Sequence, residues 1–518
     1  MRLPLERPRR RALAWAAILV LGFAGVAGRA VASDGVRQQV DRYRSLLGRY
    51  DDSAYQGQRE AADALADLGN DPARDALRSL IAEERGRGRA LDRRRMVILL
   101  SALVRGGGPT EVEEAIKSVE SERDAYLTTS LARILASAKD EEAREWLRGP
   151  GLRKTTPPVR AQVARALGAM ADPASVVPLL GALREDDLSM RAEVLLALGE
   201  TGDAEAFPSI VPFLSAPDAR LREVTARALG MLGCPRGVPP LVKALEDPDR
   251  LVVESAAGAL AALDAREAFE PLVARLEKEH GKDERLVAAF ERALGRLSGT
   301  SLGPDPELWR AWWAENKDRG RTRSADPSAP TTVAGPRWYG LRVRSSRVAF
   351  VMDVSRSMGW NERLDTAKKE LAETLRHLPP TTRFDIVIYS DKADAWSGKL
   401  VPATAENIRR AVRHVERLEP QNGTNVVDGL RFAFRNVDVD SVYLLSDGTP
   451  TAGMPVEPDE ILAELRETNR WRRVRIHTVA LTRGEPPGAY LATEDPLAAA
   501  SFMRRIAQEN EGEFREVK

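Results

Sequence analysis

The chain has 518 residues, with 78 Lys and Arg against 77 Asp and Glu, for a formal net charge of +1. This balance disfavours a strongly basic surface for nucleic acid, so no nucleic-acid partner is predicted. The length predicts two or more domains. Cys234 is the only cysteine, which excludes an intrachain disulfide. It lies between two predicted helices, where a small buried residue is expected rather than a nucleophile.

The first 32 residues have the pattern of a secretory signal. A basic stretch at residues 7–11 precedes an apolar stretch at residues 12–27, and Ala30-Val31-Ala32 is a small-x-small cleavage motif. The apolar stretch is short for a membrane span. We therefore predict cleavage after Ala32, a secreted or periplasmic protein and no span in the mature chain. The alternative is an uncleaved membrane anchor through residues 12–27.

Residues 58–315 contain an internal repeat with a period of 31 residues. Each unit is predicted to be two short helices, the first ending at a Leu-Gly pair whose glycine caps the helix. Helix pairs of this size bury their apolar faces only by stacking on their neighbours, so the pattern predicts an all-α solenoid. The units resemble short HEAT repeats. The recurring pairs are Leu167-Gly168, Leu198-Gly199, Leu229-Gly230 and Leu260-Ala261.

A tryptophan-rich segment follows the repeats. Trp309, Trp312 and Trp313 share one face of a predicted helix, because residues three and four apart are neighbours on a helix. We predict a hydrophobic plug over the open end of the solenoid, with an aromatic binding cage as the alternative. Residues 316–336 are rich in Arg, Ser, Pro and Gly and are predicted to be a flexible linker between two independent domains.

Residues 337–518 alternate between predicted strands and predicted helices. This alternation predicts an α/β domain with a mostly parallel sheet covered on both faces. The predicted strands are Val348–Met352, Phe384–Tyr389, Val442–Leu445, Ile476–Leu481 and Phe514–Val517. The predicted helices are Leu364–Leu378, Glu406–Leu418, Val427–Arg435, Pro458–Arg470 and Pro496–Asn510.

Polar residues follow two of these strands directly. One strand ends in Asp353-x-Ser355-x-Ser357, and another ends at Asp447. Thr424 lies in a turn between them. Ligand sites of open parallel sheets lie at the carboxyl ends of the strands. Carboxylates and hydroxyls suit a hard divalent cation, so these residues predict a metal site.

The order and context of these five residues resemble the metal-ion-dependent adhesion site of von Willebrand factor type A (vWA) domains. The resemblance implies a Rossmann-like fold for residues 337–518. It also implies that Asp353, Ser355, Ser357, Thr424 and Asp447 hold Mg²⁺, or alternatively Mn²⁺ or Ca²⁺. In the resembled family, an Asp or Glu carboxylate from a partner protein often completes the coordination.

The predicted function is that of an exported adaptor that binds proteins through its repeats and through a metal-dependent vWA domain. One alternative is a vWA subunit that works with an ATPase, although the export signal disfavours a cytoplasmic partner. The other is a metal-dependent enzyme. No nucleophile with an adjacent base is visible, so no catalytic residue is predicted. His477 lies within a predicted strand, where a role in the core is expected.

Overall fold

The computed structural model describes residues 34–49, 52–88, 92–317, 336–453, 458–482 and 496–518. The contacts divide the chain into two compact units, Met1–Ala197 and Leu198–Lys518. The predicted signal and most of the predicted linker lie outside the described residues. The domain boundaries drawn from the sequence therefore stay predictions, and the compact units divide at a different place.

The first unit is helical. The described helices begin at residue 34, earlier than the repeats predicted from residue 58. The chain enters the second unit within α11 (Leu188–Thr201). The preceding helices are α1 (residues 34–45), α2 (Asp52–Leu68), α3 (Asp71–Arg85), α4 (Arg93–Arg105), α5 (Pro109–Glu122), α6 (Ala125–Leu135), α7 (Glu141–Trp146), α8 (Leu152–Lys154), α9 (Pro157–Ala169) and α10 (Val176–Ala182).

The predicted period of 31 residues is confirmed by the helices. α9 and α11 begin 31 residues apart, and so do α13 and α15. Aspartates with the same spacing accept hydrogen bonds at the starts of α11, α13 and α15, which satisfies free N–H groups of the first turn; they are Asp187, Asp218 and Asp249. The helices that follow α11 are α12 (Phe207–Ile210), α13 (Ala219–Leu232), α14 (Val238–Ala244), α15 (Arg250–Ala262), α16 (Phe269–Glu279), α17 (Glu284–Ser298) and α18 (Pro306–Asn316).

The glycines of the repeated Leu-Gly pairs do not cap helices, so that prediction is wrong. Gly168, Gly199 and Gly230 lie inside their helices, whereas Gly233, with φ of 68°, follows the end of α13. A Cβ atom on Gly230 would lie 2.9 Å from both Cα and Cβ of Ala259 in α15. Glycine is used here because it lets the backbones of neighbouring repeats approach closely.

The substitution Gly230→Ala is expected to lower the free energy of unfolding by about 1–3 kcal/mol, because the added methyl group overpacks the contact between α13 and α15. Gly258→Ala is the matched control. It lies on α15, where a Cβ would meet no atom within 4 Å. That change is expected to raise stability by about 0.5–1 kcal/mol through helix propensity. Urea denaturation measures both, and equal effects would contradict the close approach.

The tryptophans close the last repeat as a hydrophobic plug. Trp309 is fully buried, and its indole N–H donates to the backbone oxygen of Gly303 at 2.7 Å. Phe269 of α16 stacks on Trp313 and Trp312, with ring centroids 4.4 and 5.4 Å apart. These rings fill space against one another, so the predicted plug is confirmed.

Within the described residues, the α/β domain has a seven-stranded sheet in the order β5-β4-β3-β7-β8-β9, with β6 also paired to β4. The pairs β3–β4, β3–β7, β7–β8 and β8–β9 are parallel, which confirms the mostly parallel sheet. The short antiparallel strands β5 and β6 and the hairpin β1–β2 were not predicted. The strands are β1 (Arg337–Trp338), β2 (Leu341–Arg342), β3 (Arg347–Asp353), β4 (Arg383–Tyr389), β5 (Ala393–Ala395), β6 (Val401–Pro402), β7 (Ser441–Ser446), β8 (Arg475–Leu481) and β9 (Phe514–Val517).

Both faces of the sheet are covered by helices, as predicted. Val348, Phe350 and Met352 pack with α19 and α20, whereas Ala349 and Val351 face the core formed with α21, α22 and α23. The alternation follows from the two-residue period of a strand. The strand order places the carboxyl end of β3 in the middle of the sheet. The helices are α19 (Arg363–Arg376), α20 (Ala405–Glu416), α21 (Val426–Arg435), α22 (Pro458–Asn469) and α23 (Pro496–Glu509).

Buried arginines join the last repeats to the amino-terminal edge of the sheet. Arg285 of α17 pairs with Glu254 of α15 at 2.7 Å, and it donates to the backbone oxygens of Asp440 and Arg473. Arg475 of β8 pairs with the same carboxylate. Burial by itself raises the pKa of Glu254, but Arg285 and Arg475 hold that pKa below its usual value overall. The last repeats and the α/β domain therefore share one packed interface within the second unit, so the prediction of two independent domains is wrong for these repeats.

Candidate metal site

The two predicted carboxylates lie at the same edge of the sheet. Asp353 is the last residue of β3 and Asp447 follows β7, its parallel neighbour. Ser355 and Ser357 lie in the short turn after β3. These four side chains belong to residues that are 6% exposed or less. Adjacent parallel strands thus bring together residues that are about 90 positions apart in the chain.

A loop before α21 places Thr424 near this edge. The loop is held by backbone hydrogen bonds from Gln421 N–H to the oxygen of Val354, and from Asn425 N–H to the oxygen of Ser390, both at 2.7 Å. Thr424 is 6% exposed. Among the described residues, its hydroxyl makes no hydrogen bond to the other four predicted ligands. Its role in a metal site stays a prediction.

The other four predicted ligands form one continuous hydrogen-bonded group. The backbone N–H of Ser355 donates to Asp353 Oδ1 at 2.7 Å. The hydroxyls of Ser355 and Ser357 are 3.1 Å apart, and Ser357 Oγ donates to Asp447 Oδ1 at 2.9 Å. The structure thus brings together the Asp-x-Ser-x-Ser motif and the second aspartate.

Two further side chains support Asp353 and were not recognised in the sequence. Ser446 Oγ donates to Asp353 Oδ2 at 2.6 Å, and the Tyr389 hydroxyl lies 3.3 Å from the same oxygen. Tyr389 ends β4 and Ser446 ends β7, the two strands that flank β3 in the sheet. Ser446 also directly precedes Asp447 in the chain. Their positions at strand ends were the available signal, but only the sheet order assigns them to Asp353.

Arg363, the first residue of α19, is the third residue that sequence reasoning missed. Its Nη1 atom lies 2.7 Å from Asp447 Oδ2, and both side chains are buried. The segment around Arg363 has the polar and apolar spacing of an ordinary amphipathic helix. The only hint was a basic residue in a first helical turn, where the helix dipole disfavours positive charge.

The electrostatics of the site favour a bound cation. Burial raises the pKa of Asp353, and the nearby Asp447 carboxylate raises it further. Burial also raises the pKa of Asp447, although Arg363 and Ser357 oppose that change. One arginine therefore does not compensate two buried carboxylates. The donor set contains only oxygen atoms, so the residues fit a hard divalent ion such as Mg²⁺.

The titratable groups considered for catalysis are packed elsewhere. His477 of β8 is buried, stacks on Tyr443 with ring centroids 4.5 Å apart, and accepts a hydrogen bond from the backbone N–H of Glu513. Burial, reinforced by nearby arginines, lowers the pKa of His477 to about 3. Its predicted role in the core is confirmed. Cys234 is buried as well, as predicted.

These features define a helical-repeat protein that carries an α/β domain with an oxygen-lined site. Comparison with protein-family models gives the same division. HEAT repeats match residues 112–199, 149–214 and 207–295, and the von Willebrand factor type A domain matches residues 346–493. The chain thus contains HEAT repeats followed by a vWA domain.

Known relatives resemble part of the chain. Human inter-alpha-trypsin inhibitor heavy chain H4 is 31% identical over 140 residues, which cover 25% of this chain and 15% of that protein. Human von Willebrand factor A domain-containing protein 3A is 27% identical over 186 residues, covering 35% of this chain and 14% of that protein. The chain therefore matches only a small part of these relatives. A solved von Willebrand factor type A structure from Catenulispora acidiphila is 19% identical, has a TM-score of 0.27, and covers 34% of this chain and 39% of that chain.

Within the described ranges, no helix is both long enough and apolar enough to cross a membrane.

Proposed function

We propose that this protein is an exported adaptor that binds a protein partner through a metal-dependent site on its vWA domain, with the HEAT repeats as a second binding surface. The buried group formed by Asp353, Ser355, Ser357 and Asp447 carries this proposal. It places oxygen donors with excess negative charge at the edge where parallel sheets bind ligands.

In this proposal Asp353, Ser355, Ser357, Thr424 and Asp447 hold Mg²⁺, or alternatively Mn²⁺ or Ca²⁺. With few anionic ligands, the bound ion keeps affinity for another carboxylate. An Asp or Glu of the partner supplies that group. The stacked repeats add the extended surface that solenoid proteins use for binding.

Two other functions are testable alternatives. A vWA subunit that works with an ATPase would require a cytoplasmic location, against the predicted signal at residues 1–32. A metal-dependent enzyme would require a base near the ion, and the buried His477 is not in a position to serve as one. A screen for hydrolysis with and without Mg²⁺ would detect the second alternative.

Partner capture is expected to depend on the divalent ion. The full chain, immobilised and incubated with envelope extract, should retain a partner in Mg²⁺ and release it when a chelator is added. The Asp353→Ala variant, treated in parallel, should retain it in neither condition because it lacks one of the two carboxylates. Equal capture with chelator and with Mg²⁺ would contradict the metal-dependent mechanism.

A further inference from the structure

An arginine lies on the carboxylate that the proposed metal site needs. Arg363 Nη1 is 2.7 Å from Asp447 Oδ2, while the other oxygen of this carboxylate accepts the hydroxyl of Ser357 at 2.9 Å. The side chain of Arg363 is 6% exposed, and that of Asp447 is fully buried. A charge pair that is removed from water interacts much more strongly than one at the surface.

The chain reaches this position through an uncommon backbone conformation. Asn361 and Glu362, which immediately precede Arg363, both have left-handed φ angles, 53° and 57°. A left-handed φ angle costs free energy in a residue other than glycine. This turn positions the start of α19 so that the side chain of Arg363 is buried against Asp447 and not exposed to solvent. The surrounding fold thus holds the guanidinium in place.

We propose that Arg363 is a built-in counterion that competes with the divalent ion for Asp447 and thereby sets the metal affinity of the site. This inference rests on the proposed function, because it assumes that the site binds a divalent ion. Without the ion, Arg363 compensates part of the negative charge of the two aspartates. When the ion is present, Arg363 repels it, or else moves away from Asp447 and loses a buried ion pair.

The competition has a consequence for the loaded site. With both aspartates ionised, the two carboxylates and Arg363 carry a formal net charge of −1, and a divalent ion changes it to +1. A site with this charge attracts an anionic ligand only when it is loaded. Without Arg363 the same change would run from −2 to 0, so Arg363 gives the loaded site a net positive charge where it would otherwise be neutral, at the surface that the partner contacts.

The test is calorimetric titration of the full chain with Mg²⁺. The variant Arg363→Met keeps much of the side-chain volume and removes the charge. We expect it to bind Mg²⁺ about tenfold more tightly than the wild type, or tighter still, because a buried positive charge next to the ion is lost. The matched control is Arg356→Met, which removes an exposed arginine from the turn after β3 and is expected to leave affinity nearly unchanged.

Thermal melts provide a readout that does not depend on a partner. In chelator, Arg363→Met should melt at a lower temperature than the wild type, because Asp447 is left buried without its cation. Mg²⁺ should raise its melting temperature more than that of the wild type. If the variant does not fold in chelator, the Mg²⁺ concentration that restores folding gives the affinity. Arg363→Lys keeps the positive charge on a shorter side chain, so its melting temperature in chelator should lie between those of the wild type and Arg363→Met.

The outcomes separate this inference from the proposed function. Mg²⁺ binding by the wild type with equal or weaker binding by Arg363→Met overturns the counterion role and leaves the metal site standing. Tight binding by Arg363→Met alone supports the counterion role and overturns metal dependence in the natural protein. Absence of binding by both proteins overturns both proposals.

Discussion

Glu254→Gln is expected to lower the free energy of unfolding of the second unit by about 3–5 kcal/mol, the usual cost of removing one partner of a buried ion pair. Arg285 and Arg475 both pair with this carboxylate and are 1% and 4% exposed. Without it, two buried guanidinium groups lose their anionic partner. Denaturation followed by circular dichroism and by tryptophan fluorescence measures the change.

Glu246→Gln is the matched control on the same solenoid. Its carboxylate pairs with Lys278 at 2.8 Å but is 58% exposed. An exposed pair of this kind contributes about 0–1 kcal/mol, so the control should remain close to the wild type. If the two variants lost the same stability, the buried arginines would not be what holds the repeats to the sheet.

Asp353→Ala is expected to weaken Mg²⁺ binding by more than about a hundredfold, since even residues that only support metal ligands cost 10–100-fold when they are removed. The remaining hydroxyls are neutral and do not offset the dehydration of a small divalent ion. Calorimetric titration with Mg²⁺ and Mn²⁺ measures the loss.

The fold of Asp353→Ala is expected to survive. Removing the carboxylate leaves the hydroxyls of Ser446 and Tyr389 without this acceptor. It also removes a buried negative charge next to Asp447, which relieves repulsion in the metal-free protein. We therefore expect melting temperatures in chelator within a few degrees of the wild type.

The control for this experiment is Asp365→Ala, which removes a carboxylate from α19 that is 66% exposed. This variant should bind Mg²⁺ like the wild type. Unchanged affinity in Asp353→Ala would show that the ion, if bound, lies elsewhere in the molecule.

Periodic features of this chain are determined by the local sequence. The period of 31 residues predicted the repeats, because each helix pair carries an apolar face that it buries against the neighbouring pairs. The apolar runs before Asp353 and Asp447 predicted two strands and the edge where they end. These signals succeed because a strand, a helix and a turn depend mostly on residues that are close in sequence.

Other features were decided only by the tertiary structure. Gly230 was predicted to cap a helix, but its role comes from Ala259, which belongs to the next repeat. Glu254 and Arg475 carry no local signal of pairing, since they are 221 positions apart. Arg363 directly precedes the predicted helix Leu364–Leu378 and became part of the site only through its contact with Asp447, 84 positions away. A charged side chain acquires its partner only when the packed fold removes both groups from water, and that information is not contained in any short stretch of the chain.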